Sequence, residues 1–141
     1  FISNVVKPDR LDEVIPEGDV VFMAAPHTLE SHKMIGPSQF ELMKKGAYFI
    51  AVSRGGTYDL DSLVKALDSR KLTAAGVDVT DPEPLPEGHA LWQFDNVIVT
   101  PHIAGRSDED HARMLGIARD NIRRFSEGKP LLNVVDKRKG Y

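Results

Sequence analysis

Four short apolar runs punctuate the chain, and each gives way to a proline, a glycine pair or a polar segment. They occupy residues 19–25 (DVVFMAA), 47–53 (AYFIAVS), 74–79 (AAGVDV) and 96–100 (NVIVT). All four are of strand length, and the nearly continuous apolar character of the first suits a parallel strand covered on both faces. Between them lie stretches of helical spacing. Residues 37–46 open with Pro37, place Lys44 and Lys45 in what reads as a last turn and close on Gly46, an order that helix-end electrostatics and a left-handed cap favour. Residues 59–72 carry Leu60, Leu63, Val64 and Leu67 at helical intervals, with Asp59 or Asp61 able to cap the start. Residues 107–127 form the longest periodic stretch, with Met114, Leu115, Ile117, Ala118, Ile122 and Phe125 as apolar positions and Gly128 as the stop. Strands alternating with helices predict an α/β chain whose parallel strands are joined by helical crossovers.

Composition narrows the functional classes. With 141 residues, one domain with one core is the expectation. Lys and Arg number 18 against 21 Asp and Glu, a net charge of -3, so the chain lacks the basic footprint of a nucleic-acid or anionic-membrane binder. There is no cysteine, which excludes disulfides and thiolate-held metals. The histidines His27, His32, His89 and His111 form no metal-ligand spacing, and no metal is expected. No apolar run approaches the roughly 20 residues of a membrane span, and the first ten residues lack a signal-like pattern. The expectation is a soluble, cytoplasmic chain with no nucleic-acid and no membrane partner. Because it begins at Phe1 in what reads as mid-element sequence, it is expected to be part of something longer.

Three of the runs deliver polar residues at their ends: Ser53-Arg54-Gly55-Gly56, Asp78 to Glu83, and Pro101-His102. In an open α/β sheet the carboxyl ends of the strands face one crevice, so Arg54, Asp78, Glu83 and His102 are expected to converge there. Their chemistry suits an anionic carbonyl or hydroxy acid. Arginine holds a carboxylate through two parallel hydrogen bonds, histidine exchanges a proton near neutrality, and glutamate orients the imidazole. Taken one at a time, Arg54 could equally be a surface turn residue, Glu83 a solvated loop carboxylate, His102 a strand-end residue satisfied by backbone, and Asp78 a turn cap. None of these alternatives explains why all four fall at or just after strand ends. Trp92 and Phe94, beside Leu91, read as core or interface anchors.

The ordered run MAAPHTLESHKMIG, MKKGAYFIAVSRGGTYDLDSLVKAL, AAGVDVTDPEPLPEGHALW and NVIVTPHIAG resembles the D-isomer-specific 2-hydroxyacid dehydrogenases over about residues 11–133. The resemblance implies a partial Rossmann-like parallel sheet with crossover helices, and a nicotinamide cofactor, NAD or NADP. It implies a small 2-keto or 2-hydroxy acid as substrate, and the Asp-Pro-Glu-Pro-Leu-Pro loop leans toward glyoxylate or hydroxypyruvate. It implies catalytic roles for Arg54 (substrate carboxylate and carbonyl), Glu83 (support of the histidine) and His102 (acid–base). Asp78 maps to the nicotinamide carboxamide contact, and Pro26, Thr28, Ser53 and Gly105 to cofactor-facing positions. A homodimer is the implied assembly.

The family's glycine-rich phosphate turn, followed about 20 residues later by an acidic residue, has no counterpart here. The glycine-rich first half of the cofactor domain is therefore absent, and the isolated chain is expected to be inactive. Residues 1–127 read as the C-terminal part of a dinucleotide-binding domain, and 128–141 as a tail returning toward a missing substrate domain. Two competing expectations are a nicotinamide-sensing protein-association module on the same fold and an inactive dimerising fragment.

Overall fold

The computed structural model describes residues 2–140, so Phe1 and Tyr141, the outer ends of the two expected regions, lie outside the described residues. It divides into two compact units, one through His102 and one from Ile103.

In the first unit four strands, β1 (Val20–Met23), β2 (Ala47–Ala51), β3 (Leu72–Val77) and β4 (Val97–Val99), pair in parallel in the order β1-β2-β3-β4. The register sets Phe22 beside Ile50, Ile50 beside Gly76 and Gly76 beside Ile98. Each new strand adds to the same edge, and right-handed crossovers then carry the connecting helices to one face of the sheet. The helices are α1 (Leu11–Val14), which sits between two 3-10 turns, α2 (Pro37–Leu42) and α3 (Leu60–Asp68). The core accordingly joins Phe40 of α2 and Leu63, Ala66 and Leu67 of α3 to Phe49, Ala51, Ala75 and Val77 of the sheet. Phe40 meets Phe49 edge-on at 5.1 Å, and Phe49 meets Tyr58 at 5.3 Å. Each such pair adds about 0.5–1.5 kcal/mol beyond simple burial.

The expectation that the first strand is covered on both faces is corrected here, and the bare face runs on across the sheet. Val20, Phe22, Tyr48 and Ile98, which alternate with the buried positions, are exposed, Phe22 by 66% and Ile98 by 70%. Winding in one direction accounts for it, since the helices have only one face to cover. The helical-crossover expectation also fails between β3 and β4. There the proline-rich loop and a 3-10 turn (Ala90–Gln93) make the connection, with Leu91 as the buried plug.

Element ends moved as well. The helix beginning at Pro37 stops at Leu42, because Met43 turns extended (ψ 151°) and buries its side chain in the core. Lys44 instead pairs with Asp19, and Gly46 (φ +89°) serves the turn into β2. Asp59 does cap α3, accepting from the Ser62 N–H at 2.8 Å. That helix ends at Asp68 rather than Leu72, since Leu72 is drawn into β3 opposite Ala47.

The second unit holds α4 (Asp110–Ser126), within the expected 107–127, and none of the helix's residues is buried. Gly128 (φ +65°) ends it as anticipated, with its N–H on the Phe125 carbonyl and the Lys129 N–H on the Arg124 carbonyl. The following segment folds back on the helix. Asn121 both donates to and accepts from the Leu132 backbone, and Arg124 donates to the Pro130 carbonyl.

Candidate active site

The first unit concentrates its polar side chains beyond the carboxyl ends of β2, β3 and β4. After β2, Ser53 and Thr57 share a buried hydroxyl contact at 3.2 Å, and Thr57 Oγ1 donates to the Arg54 carbonyl at 2.7 Å. These bonds fix the 3-10 turn Gly55–Thr57 and the backbone from which Arg54 projects. Gly55 lies so close to the Thr80 carbonyl that a Cβ would overlap it, so only glycine lets the Arg54 turn and the segment after β3 touch. A second tie is Tyr58, 2% exposed, whose hydroxyl donates to the Val79 carbonyl at 2.7 Å. Burial, and then the nearby carboxylates of Glu83 and Asp81, push that phenol far above its ordinary value, so it remains a donor.

After β3, buried Asp78 continues the sheet through its N–H to the Ala51 carbonyl, and its Oδ1 accepts from Thr100 Oγ1 at 2.5 Å. Thr80 grips the proline-rich loop by donating from Oγ1 to the Pro82 carbonyl, and its N–H reaches Glu83 Oε2 at 3.4 Å. After β4, His102 adopts a left-handed backbone (φ +54°), unusual for a residue with a side chain. Its N–H is shared between the Asp78 carbonyl at 2.9 Å and the Thr100 carbonyl at 3.1 Å, which holds that conformation in place.

Three side chains from three strand ends thereby form one line. Glu83 Oε1 lies 2.7 Å from His102 Nδ1, His102 Nε2 lies 3.2 Å from Arg54 Nη1, and the same Nη1 donates to the Ser53 carbonyl at 2.7 Å. A guanidinium only donates, so its contact with Nε2 requires an unprotonated Nε2. The ring proton then sits on Nδ1 and is donated to Glu83. His102 and Glu83 are each about two-fifths exposed, open to a ligand. Beside them is an open cavity of about 500 Å³, lined by Asp78, Thr80, Thr100 and His102 on its polar side and by Leu85, Trp92 and Val99 on its apolar side.

Of the residues singled out in the sequence, Arg54, Glu83 and His102 come together, and Asp78 borders the same cavity. Ser53 lies under the Arg54 turn. Pro26 and Thr28 form a separate tight turn closed by Ser31, whose hydroxyl donates to the Pro26 carbonyl at 2.6 Å and accepts from the Thr28 N–H at 2.8 Å. That turn's continuation meets the Arg54 turn through Lys33 N–H on the Gly56 carbonyl, and the His27 ring rests against Gly56. Gly105 belongs to the second unit, with open space around its Cα. Trp92 is no core residue. It is half exposed, anchored by its indole N–H on the Pro86 carbonyl, and walls the cavity. Sequence reasoning missed Tyr58 and Thr100. Thr100 could have been found as the hydroxyl closing the last strand, but no sequence signal places the Tyr58 hydroxyl on Val79.

The donor set suits part of a nicotinamide dinucleotide. A buried carboxylate at the cavity edge, Asp78, is an acceptor of the kind a carboxamide N–H needs, and the apolar wall suits a flat ring. Among the described residues no group of three His, Asp or Glu side chains is arranged to hold a metal, and no helix is long and apolar enough to cross a membrane.

The family model described as D-isomer specific 2-hydroxyacid dehydrogenase, NAD binding domain, matches residues 2–104. A glyoxylate reductase of Aeropyrum pernix is 37% identical over 127 residues, covering 90% of this chain and 38% of that protein. A glyoxylate/hydroxypyruvate reductase B of Cronobacter sakazakii is 39% identical over 126 residues, covering 89% of this chain and 39% of its own. This chain thus spans about two-fifths of the length of these relatives. Among solved structures, a D-isomer specific 2-hydroxyacid dehydrogenase from Xanthobacter autotrophicus, in complex with NADPH and MES, superposes with a TM-score of 0.86 at 37% identity. The match covers 94% of this chain and 54% of that one.

Proposed function

Since the chain belongs to the D-isomer specific 2-hydroxyacid dehydrogenases, through their NAD-binding domain, we propose that it supplies the acid–base and carboxylate-binding half of an active site. The reaction is the reversible reduction of a small 2-keto acid of the glyoxylate or hydroxypyruvate kind to a 2-hydroxy acid. The observation that carries this reading is the unbroken line Glu83–His102–Arg54, with contacts of 2.7 and 3.2 Å, in which Glu83 and His102 line the cavity.

Each side chain has one task. Arg54 binds and orients the keto acid through its carboxylate, with its carbonyl oxygen directed toward His102 Nε2. His102 gives a proton from Nε2 to that oxygen in reduction and takes it back in oxidation. Glu83 accepts the Nδ1–H, which fixes the ring orientation and stabilises the imidazolium. Asp78 and Thr100 would hold the carboxamide end of a nicotinamide, and Leu85 and Trp92 would offer its ring an apolar face. A bound, reduced nicotinamide supplies the hydride.

The glycine-rich phosphate turn and the opposing wall of the substrate site lie outside residues 1–141, so the activity is proposed for the polypeptide in which they accompany this chain. Assembly as a homodimer belongs to the same proposal, supported by the exposed apolar face of the sheet. Oxidation of NADH or NADPH by that polypeptide with glyoxylate or hydroxypyruvate tests the reading. Turnover that falls sharply in Arg54→Gln is expected. Tight nicotinamide binding with no turnover on any 2-keto acid would instead favour a sensing module.

A further inference from the structure

The contact between Arg54 and His102 has a consequence beyond substrate binding. His102 Nε2 has a single lone pair in the ring plane, and Arg54 Nη1–H occupies it at 3.2 Å. A proton on Nε2 and the Arg54 hydrogen bond therefore exclude one another. Yet the reduction requires a proton on that same nitrogen. The ring's other nitrogen is no alternative, because Nδ1 is committed to Glu83 at 2.7 Å.

We propose that Arg54 is a ligand-released latch on His102: it holds Nε2 unprotonated in the free protein, and an arriving carboxylate or keto oxygen draws the guanidinium hydrogen off Nε2 and opens that site to a proton. The inference rests on the assignment of Arg54 and His102 given above and adds the order of events. An oxygen acceptor set between the two groups can take the Nη1–H from one side and an Nε2–H from the other. Two donors 3.2 Å apart, unfavourable alone, become favourable around a shared anionic acceptor. The balance closes. One proton passes from solvent to Nε2 as the ligand binds, the proton moves to the carbonyl oxygen as hydride reaches the carbonyl carbon, and neutral His102 accepts the Arg54 N–H again when the hydroxy acid leaves. The reductive half of the cycle thus acquires its proton only with substrate in place.

Among the described residues, the charged side chains hydrogen-bonded to the His102 ring are Arg54 and Glu83, and Asp78 lines the same cavity. Asp78 is engaged by Thr100. Thr100 and the backbone carbonyls under the His102 N–H belong to the strand ends, which leaves Arg54 as the donor on Nε2 that a ligand can displace.

The test uses long-range proton–nitrogen NMR of the His102 ring at neutral pH, in the protein with and without oxamate, a non-reacting mimic of a 2-keto acid. In the free protein Nε2 should show the shift of an unprotonated acceptor, with the proton on Nδ1. Saturating oxamate should raise the doubly protonated fraction of His102 at least threefold. Arg54→Gln, which also removes the carboxylate's partner, should show that raised fraction without any ligand, and an Arg54→Gln ring protonated no more than the free wild-type ring overturns the latch. A proton on Nε2 in the free wild-type protein, or an unchanged ring on saturation with oxamate, overturns the latch. Loss of the catalytic reading has a different signature, namely absence of hydride transfer to any 2-keto acid while the free-state tautomer stays as described.

Discussion

At the residue scale, the three side chains proposed for chemistry were legible because strand ends of a parallel sheet open on one side, so distant residues share a crevice. Arg54, Glu83 and His102 meet as that rule implies. Two things were not legible. The direct contact of Arg54 with His102 depends on the left-handed backbone at His102, and the Tyr58 tie depends on which carbonyl a buried hydroxyl reaches. Both are tertiary facts with no periodic signal. Asp59 was legible as a cap, and it carries a prediction about stability. The Ser62 hydroxyl, and next the Lys33 ammonium, lower its carboxyl from 3.8 to about 2. The native state therefore binds fewer protons here than the unfolded chain in acid, so this contribution is complete above about pH 4. It is lost as pH falls toward 2. Asp59→Ala should cost about 1 kcal/mol at neutral pH. The deficit should vanish in the acid limb of a denaturation series.

At the scale of elements, α2, α3 and α4 were readable as helices, whereas the short α1 and the ends of α2 and α3 were not. The apolar spacing of α3 held because Leu60, Leu63 and Leu67 do face the core, yet Leu72 left the helix pattern to become the first residue of a strand. Periodicity cannot separate these fates, since burial against Ala47 satisfies an apolar residue as well as burial in a helix does. The glycine pair shows the reverse case. A glycine beside a turn ordinarily supplies backbone freedom, whereas the demand on Gly55 is contact with the Thr80 carbonyl across from it. Gly55→Ala should therefore push the Arg54 turn from the loop bearing Glu83. The expected outcome is a loss of 2-keto acid reduction of about a hundredfold, the range of a displaced catalytic group. Circular dichroism should stay close to wild type, because α3 and the sheet beneath the turn do not depend on that contact. Unchanged kinetics would show that the two segments need not touch.

At the scale of the whole molecule, the parallel sheet followed from the alternation of runs, while the order of its strands and its bare face did not, because an apolar run does not say which strands neighbour it or which of its faces is covered. Val20, Phe22, Tyr48 and Ile98 remain exposed on the first unit, and α4 of the second carries Met114, Leu115, Ile122 and Phe125 exposed. Apolar surface of this kind promotes association. Residues 1–141 alone should self-associate in a concentration-dependent way by sedimentation velocity, and Phe22→Lys with Ile98→Lys should shift the population toward monomer. A wild-type chain that stays monomeric at high concentration would contradict this.

The functional assignment depends most on one transfer of atoms. With a reduced nicotinamide deuterated at C4 and glyoxylate or hydroxypyruvate as acceptor, mass spectrometry of the product reports whether the label arrives at C2. The polypeptide carrying this chain should deliver deuterium to C2 of the hydroxy acid, and His102→Asn should slow that delivery by about 10²–10⁴, the usual worth of a positioned acid–base group. Label that never reaches a 2-keto acid, or transfer that proceeds at the same rate without the His102 imidazole, would contradict the roles given to these residues.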